Sequence, residues 1–311
     1  MIKVCNTYGL DDLPLGTKGR VMALGLFDGV HQGHTDIIRK AVATAERDGL
    51  VSTVQTFKNL NKSGTRPLYT AAERLKLIEG TGADELLVLD FDAVKDMEPE
   101  QYLTDILLYR AVADTLVMGE DYRFGRDAKG DVGLIREFAR ANDIRVIVVP
   151  DRLLEGTGDK ISTTWLRRAL SEGDADLAAK LCGGRYYSYS GRCVQGKMLG
   201  RTMGFPTANI NIPDDKFVVR RGVYVSRVRL GQSVLYGVTN IGRRPTLEDA
   251  VNDVAETFIF DFDEDIYGAE FTVELMHFLR PEEQYKSKEE LICAVEKNKM
   301  QALEYLKTVA G

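Results

Sequence analysis

Cysteine and histidine are scarce in this chain, with four and three residues among 311. Cys5, Cys182, Cys193 and Cys293 show no paired spacing, so neither a disulfide framework nor a zinc-finger pattern is indicated. No apolar run approaches the ~18 residues that suggest a membrane span, and no basic-then-apolar leader pattern opens the sequence. These absences lead to the expectation of a cytoplasmic protein with no membrane partner. Positive charge is not in excess either. A net charge of −6 argues against non-specific nucleic-acid binding, which rests on Lys and Arg neutralising phosphates. It leaves room for local basic sites that hold nucleotide phosphates, and it leaves weak self-association open.

What is present is a globular composition, 44% apolar and 28% charged, in a chain long enough for two domains. From residue 21 to about 150, apolar runs at Val21–Phe27, Val51–Phe57, Glu85–Phe91, Thr115–Met118 and Ile144–Pro150 alternate with helical patterns. Thr70-Ala-Ala-Glu73 has the form of a capping box. Pro99 fits the first turn of a helix running through Tyr109, and another helix covers Leu134 to Asn142. Continuous apolar strands alternating with helices predict a doubly wound parallel sheet, whose ligands bind beyond the carboxyl ends of the strands.

Two of the three histidines, His31 and His34, fall where the first of these strands hands over to a helix. Phe27, Asp28 and Gly29 form the tight turn between them. A helix start carries unpaired N–H groups and partial positive charge, so it suits phosphate, and the imidazoles would stabilise a departing pyrophosphate. The bland alternative is two surface histidines on a loop. A zinc reading of His-x-x-His lacks further His or clustered Cys in this half.

Gly119–Gly130 follows a strand and carries Tyr122 and Phe124, which would suit stacking on a ring if exposed; an ordinary connecting loop is the alternative. In Ile161–Arg168, Ser162 or Thr163 takes a helix cap and Arg167 lies one turn in. Simple capping explains these residues, and so does a set of hydroxyls and a guanidinium aimed at phosphate oxygens. Residue chemistry leaves both open.

Asp174 to Leu181 reads as a short helix, and Gly183-Gly184 places a domain boundary there, giving 1–182 and 183–311. Beyond it, short alternating runs at Tyr186–Val194, Gly222–Leu230, Ser233–Ile241, Glu256–Phe262 and Glu270–Leu279 predict an antiparallel sheet or small β-barrel. A helix from Ser287 to Leu306 follows. In Gly196–Asn209, glycines recur every four residues with Lys197 and Arg201 between them. Such a stretch can approach phosphates and hold their charge, or be a glycine-rich hairpin. It has neither the spacing of a Walker loop nor the character of a membrane GxxxG helix.

GLFDGVHQGH resembles the nucleotide-binding motif of the bacterial bifunctional riboflavin kinase/FMN adenylyltransferases, and GEDYRFG and ISTTWLR resemble two later motifs of their adenylyltransferase module. GRTMGFPTAN, GVTNIGRRPT and ETFIFDFDEDIYG resemble riboflavin kinase motifs in the same order. The resemblance implies a nucleotidyltransferase-like doubly wound domain followed by a small antiparallel β-barrel with a C-terminal helix. It implies conversion of riboflavin to FMN and of FMN to FAD, with ATP, riboflavin and FMN as substrates and Mg²⁺ as cofactor. On this resemblance His31, His34 and Arg167 act on phosphates, with Gly25, Phe27, Asp28, Gly29, Ser162 and Thr163 in the nucleotide site. Asp121 and Phe124 lie with the flavin. In the second half Lys197 and Arg201 bind nucleotide, Thr207 and Asn209 hold Mg²⁺, and Glu256 is the general base. Arg280 in FLRPEEQYKS matches a later family position without an assigned role.

Two departures stand out. Phe57-Lys58-Asn59-Leu60-Asn61 replaces the usual Phe-Asp-Pro-His-Pro, and Val219 replaces a frequent proline. The first keeps a second reading in view, a riboflavin kinase with an altered nucleotidyltransferase half. A third is a flavin- or nucleotide-binding regulatory protein without turnover.

Overall fold

The computed structural model of the chain describes residues 3–7, 19–58, 65–195, 205–245 and 251–309. By contacts the chain divides into two units, Met1–Thr163 and Thr164–Gly311. The expected boundary at Gly183-Gly184 lies further along, after two helices that group with the second unit.

The first unit holds six parallel strands: β1 (Lys3–Thr7), β2 (Arg20–Leu24), β3 (Val51–Phe57), β4 (Glu85–Leu89), β5 (Ala113–Gly119) and β6 (Arg145–Val149), in the order β1-β4-β3-β2-β5-β6. The doubly wound parallel sheet is therefore as expected, with β1 added. That short strand carries no pattern of its own and is defined by its pairing with β4. The chain steps outward from β2 through β3 and β4, then returns to the other side of β2 with β5. The crevice at the carboxyl ends of β2 and β5 is thus the switch point where such sheets bind ligands.

The continuous apolar run of β2 is explained by burial on both faces. Val21 and Ala23 face Ile38, Ala41 and Ala45 of helix α1 (Gln32–Asp48), whereas Met22 and Leu24 pack with Leu103, Ile106, Leu107, Leu116 and Met118. Helix α2 (Ala71–Glu79) opens on the expected capping box: Glu73 N–H donates to Thr70 Oγ1 at 3.3 Å, and Thr70 N–H donates to Glu73 Oε2 at 3.0 Å. A single turn, α3 (Phe91–Val94), precedes α4 (Pro99–Gln101), which has Pro99 in its first turn. The continuation, Tyr102–Arg110, is π-helical rather than the ordinary helix expected. Helix α5 (Val132–Ala141) lies before β6.

In the second unit, α6 (Thr163–Glu172) and α7 (Ala175–Leu181) precede six antiparallel strands. These are β7 (Tyr187–Arg192), β8 (Thr207–Asn211), β9 (Gly222–Leu230), β10 (Ser233–Pro245), β11 (Val251–Ile259) and β12 (Glu270–Arg280), ordered β7-β12-β9-β10-β11-β8. Two residues past the end of β7, Val194 bridges to Asn209 of β8, its N–H donating to Asn209 O at 2.9 Å, which brings the two edges of the sheet together as in a small barrel. β8 adds a strand that the sequence pattern does not predict: its five residues, TANIN, follow the glycine-rich stretch and show no regular alternation. Helix α8 (Lys288–Val309) ends the chain's described part and packs on β9, β10 and β12. Val219, at the departure from proline, donates its N–H to the Tyr189 hydroxyl at 3.1 Å, a bond that proline cannot make.

Candidate active sites

In the first unit the chain leaves β2 through a turn with two non-glycine residues at positive φ, Phe27 at 51° and Val30 at 40°. A β-branched residue in that region is strained, and such strain collects where geometry serves a site. Gly25 makes the turn feasible, because a Cβ there would come within 2.8 Å of the Phe27 ring. Phe27 is fully buried in the core, and Asp28 is buried with its Oδ1 accepting the Leu68 N–H at 2.9 Å. These two residues hold the turn in place. Gly29 completes it.

His31 is the N-cap of α1, its Nδ1 accepting the His34 N–H at 3.3 Å. A neutral imidazole that accepts at Nδ1 carries its proton on Nε2 and so remains a donor. The His31 and His34 rings stack with centroids 3.7 Å apart and planes at 19°, and Phe27 meets His34 edge-on at 5.3 Å. The expected pair is therefore one built unit at a helix N-terminus, where partial positive charge favours anions.

Asp121, in the loop after β5, is exposed and paired with Lys160 at 2.7 Å; Lys160 also reaches Asp151 at 2.8 Å. Gly119 places Asp121 close to α1, since a Cβ on Gly119 would lie 3.4 Å from Asp121 Oδ1 and 3.5 Å from Ile37 Cδ1. Phe124 requires a correction. It is 7% exposed and belongs to the core cluster, and Tyr122 is packed against that cluster. The reason is local: Phe124 and Gly130 exchange backbone hydrogen bonds of 3.2 and 3.0 Å, and the ring fills the space left by the missing Gly130 side chain. Neither aromatic is the exposed platform expected from the loop's composition.

Residues 151–161 fold back on themselves, with Ile161 N–H donating to Arg152 O at 2.8 Å and Leu154 N–H to Asp159 O at 2.9 Å. This brings Arg152 beside the start of α1, 3.8 Å from the Cβ position of Gly33 and 3.9 Å from Asp36. Sequence reasoning missed Arg152 and Lys160, because no motif marks them and only the fold-back moves them. Ser162 directly precedes α6 and Thr163 begins it. Arg167 lies in the second unit, its guanidinium 5.4 Å from the centre of the Phe217 ring.

In the second unit Asn209 of β8 lies directly opposite Glu256 of β11. Two residues earlier, the Thr207 hydroxyl donates to Glu256 Oε1 at 2.7 Å. Asn209 is buried, and its Nδ2 donates to the Thr207 carbonyl at 3.3 Å, which turns its Oδ1 the other way. Thr207, Asn209 and Glu256 share one face of paired strands, and their side chains carry hard oxygens of the kind Mg²⁺ takes together with waters and phosphates. Beside Thr207 lies a half-open pocket, also lined by Cys193 and by Phe262 to Tyr267. Lys197 and Arg201 lie outside the described residues. The third histidine, His277, is engaged elsewhere, with Nδ1 2.6 Å from Asp176 and its ring stacked on Tyr305. Arg280 donates to the side chain of buried Asn298 at 3.1 Å, tying β12 to α8.

Residues 14–165 match the family described as FAD synthetase, and residues 183–306 match the family described as Riboflavin kinase. A protein of Listeria monocytogenes named bifunctional riboflavin kinase/FMN adenylyltransferase is 33% identical over 290 residues, 90% of each chain. This chain belongs to the bifunctional riboflavin kinase/FMN adenylyltransferase family. Members named in the same way from Bacillus subtilis and Escherichia coli K12 are 32% and 31% identical over 92% and 93% of both chains. A crystal structure from Streptococcus pneumoniae, named there as a macrolide-efflux protein, matches with a TM-score of 0.83 at 30% identity, covering 96% of this chain and 98% of that one. Among the described residues no helix is long and apolar enough to cross a membrane.

Within this family the departure begins at Lys58, the last described residue after β3. Asn59, Leu60 and Asn61 are outside the described residues, but buried Arg74 donates to the Phe57 carbonyl and, at 3.4 Å, to that of Lys58. Burial lowers the Arg74 guanidinium to about 10, against the pull of the Asp28 carboxylate. The same arginine thus serves the end of β3 and the charge balance of the turn after β2.

Proposed function

We propose that this chain phosphorylates riboflavin to FMN and adenylylates FMN to FAD, using ATP twice, as a cytoplasmic enzyme with functional modules at 1–182 and 183–311. The kinase step rests on the Thr207–Glu256 hydrogen bond with Asn209 alongside. Glu256 takes the proton of the riboflavin 5′-hydroxyl as that oxygen bonds to the γ-phosphorus of ATP; the bond from γ-phosphorus to the bridging oxygen breaks and ADP leaves. Phosphoryl transfer needs positioning, charge stabilisation and one base, not a covalent nucleophile. Thr207 and Asn209 would hold Mg²⁺, which when bound neutralises phosphate charge. Lys197 and Arg201 bind the nucleotide.

Adenylylation needs no comparable base. A phosphate monoester is mostly dianionic at neutral pH, its second pKa being about 6, so an FMN oxygen can attack the α-phosphorus directly and pyrophosphate departs. The residues required are cations and N–H donors on the phosphates, the chemistry that His31, His34 and the start of α1 offer. Ser162 and Thr163 supply hydroxyls to the phosphates in this reading. Gly25, Phe27, Asp28 and Gly29 shape the nucleotide turn, Asp121 contacts the flavin side, and Phe124 supports that loop from within the core.

Purified protein given riboflavin, ATP and Mg²⁺, with the flavins then separated, tests both steps. FMN and FAD are expected. Absence of FMN sinks the kinase reading. FMN without FAD favours the second reading, a riboflavin kinase with an altered nucleotidyltransferase half, for which Lys58 in place of an aspartate is the specific observation.

A further inference from the structure

Two stretches without an assigned role, GVTNIGRRPT and FLRPEEQYKS, meet in one hydrogen bond: Asn240 Nδ2 donates to Glu282 Oε1 at 3.3 Å. Asn240 lies on β10 directly opposite Glu256 of β11, which is itself opposite Asn209 of β8. Directly opposed residues of antiparallel strands share a face with Cβ atoms about 5 Å apart. Asn209, Glu256 and Asn240 therefore form one row across three strands.

The contact is built, not incidental. Gly242, two residues on and on the same face, lies under the Glu282 carboxylate; a Cβ there would come within 2.3 Å of Glu282 Oε1 and 3.0 Å of Asn240 Nδ2. The missing side chain of Gly242 leaves the space in which Glu282 meets Asn240. A carboxylate can only accept, so it fixes which end of the amide it meets. Nδ2 is committed to Glu282, and Oδ1 is left as an acceptor on the row.

The direction of the row then matters. Taking Glu256 as the base and Thr207 and Asn209 as the phosphate and metal end, in-line transfer places the attacking oxygen on the far side of the γ-phosphoryl group from the leaving group. The remainder of the acceptor substrate extends past Glu256, on the Asn240 side. We propose that Asn240 Oδ1 accepts a hydrogen bond from the hydroxyl adjacent to the one phosphorylated, the 4′-hydroxyl of the ribityl chain, and that Glu282 is the positioning residue that holds the amide in that orientation. The assignment rests on the kinase reading above and gives the site selectivity for a polyol with vicinal hydroxyls. A site built to hydrogen-bond a substrate hydroxyl discriminates against the analogue that lacks it.

Steady-state kinetics with riboflavin and 4′-deoxyriboflavin, on the full chain with ATP and Mg²⁺, test it. Asn240→Ala is expected to lower kcat/KM for riboflavin roughly tenfold, mainly through KM, as for loss of one substrate hydrogen bond, while 4′-deoxyriboflavin is processed as by the unsubstituted protein. Glu282→Gln, at an exposed position, lets the amide reverse and should weaken riboflavin selectivity; Glu282→Asp should restore part of it. FMN adenylylation by each variant should be unchanged, and an unchanged melting temperature together with full activity on 4′-deoxyriboflavin reports an intact second unit. Equal losses for both flavins, or variants within twofold of the unsubstituted protein on riboflavin, overturn the assignment. If the unsubstituted protein makes no FMN at all, the kinase reading fails and takes this inference with it.

Discussion

The imidazoles of His31 and His34 stack face to face, with their centres 3.7 Å apart, and the ring nitrogen of the first caps the backbone of the second. His31 thus caps helix α1 and is also proposed to act on phosphates, so its two roles have to be separated experimentally. His31→Ala should cost about 1 kcal/mol of stability through the lost cap and lower FMN adenylylation roughly a hundredfold, with riboflavin phosphorylation retained. His31→Asn restores a capping side chain without an imidazole. It should recover the melting temperature but not the activity, which thermal unfolding and FAD formation measured together will check.

Glu256→Ala is expected to reduce riboflavin phosphorylation at least a hundredfold, the usual contribution of a positioned base, while FMN is still converted to FAD. Thr207→Val removes the hydroxyl bonded to Glu256 at 2.7 Å and should lower kcat for the same step. If FAD formation from FMN falls in parallel with FMN formation in Glu256→Ala, the two sites are not independent.

Gly25→Ala places a methyl group within 2.8 Å of the Phe27 ring. Phe27 is fully buried and already at positive φ, so it has little room to yield. Overpacking of this kind costs about 1–3 kcal/mol. A lower urea midpoint together with weakened adenylylation is expected, with the kinase step spared.

Asp48 at the end of α1 accepts two hydrogen bonds from Arg47, at 2.7 and 2.9 Å, and another from Arg145 of β6. The Arg47 bonds above all, then the Arg145 bond, hold its carboxyl well below the usual carboxylate range. The folded state thus prefers the ionised form more than the unfolded chain does, whose carboxyl titrates near pH 3.9. The stabilisation is fully present above about pH 4 and is lost as pH falls below it. Asp48→Asn should have a flatter stability profile from pH 4 downward, read by chemical unfolding at a series of pH values.

Local signals were legible where the physics is local. The Thr70–Glu73 box, Pro99 in its first turn, the strand over Gly222–Leu230 and the hand-over from strand to helix at His31 and His34 all depend on residues within a few positions of one another. The motifs around His31, Thr207 and Glu256 were legible for the same reason: each is a contiguous stretch.

What the sequence alone determined is therefore the two-part plan, most of its strands and helices, and the family motifs along them. Tertiary structure decided the rest, because those features depend on partners far along the chain. β1 exists through its pairing with β4, and Phe124 turns inward because Gly130 leaves it space. Arg152 reaches the start of α1 only when residues 151–161 fold back. Asn240 gains a fixed amide only when the end of β12 brings Glu282 over Gly242. Residue type and spacing set what a side chain can do; long-range packing sets which way it faces and what it can reach.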